Sequence, residues 1–351
     1  MISLVPSGAA LPEGKLHMQA NTRTTPERPV KVPSRSAFPA VQMRYVAIWI
    51  ALVLLFAIGA VFLPRSVNIE TVFAIMPFAA FLAIAAMGQS IVLMGRGIDL
   101  SVPAIVTLSS TLLLGVSGGR DETLVVAILV ALGAAMAVGA INGLLVAVLK
   151  LNSLIVTLAI GAVVSGLTLW YRQGLPAESK VPLGLAELGG GRLLGIGWPI
   201  WIAAAIAIAA NVVLRRTLAG RRFEAVGANP RAAHAVGIET MRYQAGSFVA
   251  AALLYGTMGI LLSGFIRNPT LQVGAPYLLA PIAAAVLGGT AISGGFGNMI
   301  SVAGAAIFLV QLDQMLKMLG LATSYQMIIQ GCAIALGMWL SGLGGRRRLG
   351  S

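Results

Sequence analysis

Polarity along this chain changes in long blocks, not at the short periods of a soluble fold. From residue 45 to residue 340, apolar runs follow one another, separated by brief stretches rich in Gly, Pro and Arg. A helix needs about 20 apolar residues to cross the hydrocarbon core of a bilayer. On that ruler the pattern predicts an all-α polytopic membrane protein with about ten segments. They fall at residues 45–63, 71–94, 102–116, 123–149, 154–171, 198–214, 244–266, 278–287, 296–311 and 325–340. The third, eighth and ninth are short and have Gly or Pro nearby, which predicts tilted, broken or re-entrant helices. Such breaks are tolerated only where the backbone is buried or lines a water-filled path. Eight crossings fit equally well if a short pair is re-entrant.

Polar blocks close both ends. Residues 1–44 carry six prolines and more bases than acids, with no apolar periodicity, and predict a disordered basic tail. No apolar h-region stands near the start, so a cleaved signal peptide is not expected. Residues 343–351, with Arg346-Arg347-Arg348, form a second basic tail. Residues 45–342 between them read as one membrane domain.

Composition supports the same class. Hydrophobic residues make up 58% and charged residues 10% of the chain, against about 25% charged in soluble domains. So few charges cannot cover a water-facing surface, and lipid must be the outer solvent. The net charge of +13 sits in tails and loops with few aromatics beside it. That is a positive-inside bias and speaks against nucleic acid as a partner. The 215–243 connection, with Arg215, Arg216, Arg221, Arg222, Arg231 and Arg242 against Glu224 and Glu239, is expected in the cytoplasm. The Gly/Pro-rich 172–197 connection has balanced charges and is expected outside. Ten crossings then put both termini in the cytoplasm. Lone Cys332 excludes an internal disulfide and is expected to be a small core residue.

Catalytic constellations are missing. His17 falls in the tail and His234 in the polar loop, so no histidine serves acid–base chemistry inside the membrane. No His/Cys/acid cluster has metal-ligand spacing, and no Walker-type phosphate loop occurs. Two acids stand near membrane depth. Asp313, four residues before Lys317, follows the ninth segment and can pair along one helical turn. Asp99 lies in Gly95-Arg96-Gly97-Ile98-Asp99-Leu100-Ser101. It has two readings, an N-cap for the third segment or a direct solute contact, and the Asp-Leu-Ser-Val-Pro context favours the first.

Glycines inside the apolar runs, such as Gly133, Gly139, Gly143, Gly161 and Gly166, predict close helix packing. Gly288, Gly289, Gly294 and Gly295 differ, because two pairs so close together cannot sustain a helix and predict a bend at the membrane edge. In the polar loop Asn229-Pro230 is an N-cap with its first helical residue, and Gly237 can end the helix. The result is about two turns, too short to stand alone in water. It is either a solvated loop helix or a docking helix for a cytoplasmic partner, with Arg221 and Arg222 beside it.

Four stretches resemble one family. Gly97-Ile98-Asp99-Leu100-Ser101 resembles its Gly-Gly-Ile-Asp-Leu-Ser-Val-Gly turn. Asn152-Ser153-Leu154-Ile155-Val156-Thr157-Leu158 resembles its Pro-Phe-Ile-Val-Thr-Leu entry to a span. Ala225-Val226-Gly227-Ala228-Asn229-Pro230-Arg231-Ala232-Ala233 resembles its coupling-helix loop, and residues 286–297 its Gly-Gly-Thr…Ser-Gly-Gly element. Collinear over residues 45–340, these resemble the permease subunits of ABC importers for ribose, xylose, arabinose and galactose. The resemblance implies two permease subunits sharing a path, a cytoplasmic ATPase that holds ATP and Mg2+, and a periplasmic sugar-binding protein. No cofactor would be bound by this chain, and the site would be a bacterial inner membrane.

It also implies roles for residues. Arg221, Arg222, Glu224, Gly227, Asn229, Pro230, Ala233 and Gly237 would couple to the ATPase. Gly97, Asp99, Ser101, Asn152, Thr157, Gly288, Gly289, Thr290, Ser293, Gly294 and Gly295 would form the translocation path or its structural turns. Arg96 and Pro103 stand where the family has Gly, and Tyr277-Leu278-Leu279-Ala280-Pro281 where many relatives have Glu-Leu-Asp. These departures raise the expectation of a different permease as the second subunit.

The competing class is an ion-coupled secondary transporter of a small polar solute, which broken helices also fit. It would need an ionisable coupling group, and Asp99 is the available one. Asp99→Asn separates the two. A capping role predicts modest loss of uptake, whereas proton coupling predicts abolished uptake by a folded protein.

Overall fold

The computed structural model describes residues 38–176 and 179–322, and residues 324–326, 328–329, 331–332 and 335 beyond them. His17, the tail at residues 343–351 and most of the tenth predicted segment lie outside the described residues.

The apolar blocks become helices: α1 (Phe38–Phe62), α2 (Ile69–Met94), α3 (Val102–Ser117), α4 (Leu124–Gly143), α5 (Ser153–Gln173), α7 (Trp198–Arg216), α10 (Thr240–Ile266), α11 (Ala280–Leu287) and α12 (Met299–Met318). Between them lie α6 (Leu183–Gly190), α8 (Leu218–Ala228) and α9 (Pro230–Ala235). A π-helical turn over Leu144–Val148 continues α4. Among the described residues, seven helices, α1, α2, α4, α5, α7, α10 and α12, are long and apolar enough to cross a membrane, while α3 and α11 are apolar but short. The chain is a polytopic all-α membrane protein.

Three boundaries differ from expectation. First, α1 begins at Phe38, inside the stretch expected to be tail. Pro39 falls in its first turn, where a missing N–H costs nothing. Second, the ninth segment is neither short nor ended before Asp313. Asn298 caps α12 by accepting from Ile300 N (3.0 Å) and Ser301 N (3.3 Å). At its other end Asp313 and Lys317 pair at 2.5 Å on one helical face, so both charges belong to the helix. Third, the 172–197 connection holds α6 and a small antiparallel hairpin, β1 (Arg192–Leu193) with β2 (Ile196–Gly197). Eight residues are too few for a run-length ruler to register.

About half or more of α2, α10 and α12 is buried, against about a third or less of α1, α4, α5 and α7. The inner helices therefore meet each other around Phe81, Met87, Phe248 and Tyr255, all nearly inaccessible. The outer ones expose Val53, Leu129, Leu158 and Leu167, as lipid requires. Without a hydrophobic drive between helices in lipid, close backbone approach does the packing. Along α4, a Cβ on Gly139 would lie 2.6 Å from Phe248 O, and one on Gly143 2.6 Å from Ala245 O, both on α10. Gly161 likewise meets Ser101. Gly133 and Gly166 do not follow this rule, since each faces open space. Cys332, expected in the core, is exposed among the described residues.

This contrast is testable. Gly143→Leu should wedge α4 from α10 and destabilise the detergent-purified protein by ~1–3 kcal/mol. Gly133→Leu should leave its thermal unfolding unchanged.

Candidate functional site

Between α2 and α3 the chain runs extended through the protein interior. Every amide in it has a partner. Gly97 N–H donates to Val92 O (3.0 Å), Ile98 N–H to Ser153 Oγ (3.1 Å) and Leu100 N–H to Thr157 Oγ1 (2.9 Å). The Gln89 side-chain amide takes both backbone groups of Asp99, accepting its N–H at 3.2 Å and donating to its carbonyl at 3.1 Å. The same amide donates to the Tyr255 hydroxyl at 3.0 Å. Ser153 and Thr157 are one turn apart on α5, so this helix offers hydroxyls at the spacing an adjacent extended strand presents its amides.

Asp99 closes the segment. Its Oδ1 accepts from Ser101 N (2.8 Å) and Ser101 Oγ (2.5 Å), and Asn142 Nδ2 donates to Ser101 Oγ at 2.9 Å. The cap position of α3 is Ser101, not Asp99. Asp99 sits two residues earlier and turns the chain into the helix as an Asx acceptor, because Leu100 and Ser101 intervene before the first helical residue. Its side chain is fully buried, and Oδ2, like Asn142 Oδ1, has no hydrogen-bond partner among the described residues. Gly97, Ser101 and Thr157 are buried with it. Asn152 is exposed and caps α5 through Leu154 N (2.9 Å).

The second glycine element, after α11, also folds back. Gly289, Gly294 and Gly295 have φ of 88°, 90° and 96°, backbone that only glycine adopts readily. Thr290 Oγ1 bonds Ser90 Oγ of α2 at 2.7 Å. Gly288 packs against Val302 of α12. Ser293 is exposed at the tip.

The polar loop folds as two helices. In α9, Asn229 Oδ1 accepts from Ala232 N (3.1 Å) and Pro230 is the first residue. After it, Gly237 at φ 80° lets Ile238 N–H return to Ala233 O (3.0 Å). Ala233 and Gly227 are buried, whereas Arg221, Arg222 and Gly237 are exposed. Half-burial pushes the Glu224 carboxyl above its ordinary range, and the Arg215 guanidinium partly offsets this. A cleft of about 330 Å³ opens beside α9, lined by Arg222, Val236, Gly237, Ile238, Glu239, Arg242 and Tyr243.

The three irregular elements meet at one point. Gly295 N–H donates to Met94 O at 2.9 Å. A Cβ on Gly227 would strike the Met94 carbonyl and lie 2.6 Å from Gly295 N. Across this contact reaches Arg96, whose Nε donates to Gly227 O (2.7 Å) and Nη2 to Ala228 O (2.9 Å). Those are the last carbonyls of α8, which lack helical partners and carry the negative end of its dipole. A guanidinium satisfies both needs at once. Arg96 itself holds φ 69°, a region where glycine is the easy occupant. Sequence reasoning set Arg96 aside as a departure and missed Gln89, Ser90, Asn142 and Ser153. An Arg two residues past a helix end, between two glycines, was the available signal.

Among the described residues no group of His, Cys, Asp and Glu could hold a metal ion. A helical bundle with buried turns tied to a basic two-helix loop is the architecture of a membrane permease component. The chain belongs to the family described as the branched-chain amino acid transport system permease component, whose model matches residues 71–337. It is 33% identical over 292 residues to the ribose import permease protein RbsC of Escherichia coli K12, covering 82% of this chain and 90% of that one. The L-arabinose ABC transporter permease protein AraH of Azospirillum brasilense is 33% identical, covering 68% and 70%. The autoinducer 2 import system permease protein LsrC of Enterobacter sp. 638 is 31% identical, covering 83% and 84%. No solved structure matches the chain.

Arg96→Gly keeps the backbone conformation and removes only the guanidinium. Amide exchange at Ala228 and Asn229 should then speed by at least about tenfold, since a charged hydrogen bond is worth ~1.5–3 kcal/mol. Unchanged exchange would show that the clamp does not hold the end of α8.

Proposed function

We propose that this chain is the membrane-spanning permease subunit of an ABC importer that carries a monosaccharide across a bacterial inner membrane. The observation that carries the reading is the junction just described. The end of α8 packs backbone against backbone on both irregular turns inside the bundle and is hydrogen-bonded to the first of them through Arg96. A displacement of the loop by a docked partner therefore moves the α2–α3 and α11–α12 turns together. Alternating access needs such a link between a docking surface and bistable helix packing, and no catalytic side chains.

In this reading a cytoplasmic ATPase, with ATP and Mg2+ bound to it, docks on the exposed face that carries Arg221, Arg222, Asn229 and Gly237. Gly227 and Ala233 anchor the loop from its buried side. A second permease subunit, identical or different, completes the path, and a periplasmic binding protein delivers the sugar. Both termini are then cytoplasmic. The sugar assignment draws on the ribose, arabinose and autoinducer 2 relatives.

The test is purification of the tagged chain from mildly solubilised native membranes, with partner identification and an ATPase assay. A stoichiometric ATPase is expected, and its yield should fall about tenfold, ~1.4 kcal/mol of binding, in the Arg221→Glu/Arg222→Glu variant. An intact complex without any ATPase would overturn the reading in favour of an ion-coupled transporter.

A further inference from the structure

The residues between α10 and α11 cross half the bundle without a helix. Their start is fixed at one end, where Arg267 O accepts from Val181 N at 3.2 Å, beside α6. Their finish is deep inside. Gly274 N–H donates to Thr107 Oγ1 of α3 at 3.3 Å, and Gly274 packs on the Pro103 carbonyl.

Helix rise gives the depth. Ser101, just before α3, lies against Gly161 of α5, which at 1.5 Å per residue is about 12 Å along α5 from its first residue. Pro103 lies about 3 Å and Thr107 about 9 Å further, so Gly274, held by both, falls about 15–21 Å from the α8–α9 end of the bundle. The eight residues of α11 rise about 12 Å from the Gly288 turn and bring Leu279 to a similar level. Both rulers reach the middle of a hydrocarbon core about 30 Å thick.

Residues 268–279 thus hold irregular backbone from one membrane face to mid-depth, with only a 3-10 turn at Ala275–Tyr277. One side of the segment packs inward through Pro269, Val273 and Gly274. The other exposes Thr270 and Gln272 in the first half of the segment and Leu278 and Leu279 at its inner end, whereas α5 at similar depth exposes Val163 and Leu167. Lipid does not tolerate irregular backbone. Thr270 Oγ1 already accepts from Gln272 N (3.3 Å), which leaves its proton to donate outward.

We infer that residues 268–279 line the water-filled solute route, and that Thr270 and Gln272 hydrogen-bond a neutral polyhydroxylated solute there. This rests on the importer reading and deepens it. A hydroxyl both donates and accepts, as do the Gln272 amide and the Thr270 hydroxyl. Neither side chain offers a charge to pair with the carboxylate or ammonium of an amino acid.

The test uses the complete complex in native membranes, in a Cys332→Ser background. Thr270→Cys and Gln272→Cys are treated with a membrane-impermeant sulfonate methanethiosulfonate, with Leu167→Cys as the lipid-facing control. Both positions should react at least about tenfold faster than the control, a difference of ~1.4 kcal/mol in barrier. Protection of both positions, in resting and nucleotide-loaded complexes alike, would mean that protein covers the segment and would overturn the inference. Protection with the ATPase still co-purifying leaves the importer reading standing. Reaction without any co-purifying ATPase removes the importer and leaves the water-lined route. In a second arm, Gln272→Ala should lower the maximal uptake rate of the transported sugar among D-ribose, L-arabinose and D-galactose. Undiminished uptake at equal complex abundance would overturn the hydrogen-bonding role.

Discussion

Within a bilayer no water is available to satisfy a free amide or carbonyl, and each one left bare costs several kcal/mol. This protein interrupts its helices at residues 95–101, 267–279 and 288–298, and the rest of its interior is arranged around those interruptions. Ser153, Thr157 and Gln89 act as surrogate carbonyls and amides for the first. The third borrows the Met94 carbonyl. The buried polar side chains of Gln89 and Thr157 are thereby accounted for by the backbone beside them.

The same constraint creates mechanical coupling. A helix satisfies its own backbone and can slide past a neighbour, whereas an interrupted segment is tied to whichever element completes its hydrogen bonds. The end of α8 is completed by Arg96, and the glycine turn after α11 is completed by α2. Glycine at 227 and 295 is what allows three backbones to approach this closely, since a single Cβ at Gly227 would strike Met94. Rigidity at this junction and slippery, small-residue packing elsewhere form a reasonable basis for a bundle that changes between two states.

Arg96 illustrates how a departure from a family pattern is explained only by its surroundings. The backbone there has positive φ, which accounts for glycine in relatives. The arginine accepts that conformation and adds two hydrogen bonds to the orphan carbonyls of α8. Pro103 is similar, since it stands in the first turn of α3, where a missing N–H leaves nothing unpaired.

Run length and hydropathy alone determined that the chain is a helical membrane protein, because twenty apolar residues have one stable solution in lipid. They also placed most helix ends, the short third and eighth segments, and the capped α9, since a cap is a local arrangement of neighbouring residues. Asp99 read from the sequence as the N-cap of α3, whereas the cap position belongs to Ser101 and Asp99 turns the chain two residues earlier. What the sequence left open was every relation between distant residues. That Ser153 serves Ile98, that Asn142 reaches Ser101, and that Gly227, Met94 and Gly295 share one contact depends on which helices lie side by side. Lipid is as apolar as the side chains facing it, so hydrophobicity drives a segment into the membrane but does not choose its neighbours. Backbone approach and hydrogen bonding choose them, and those are settled only in the tertiary structure.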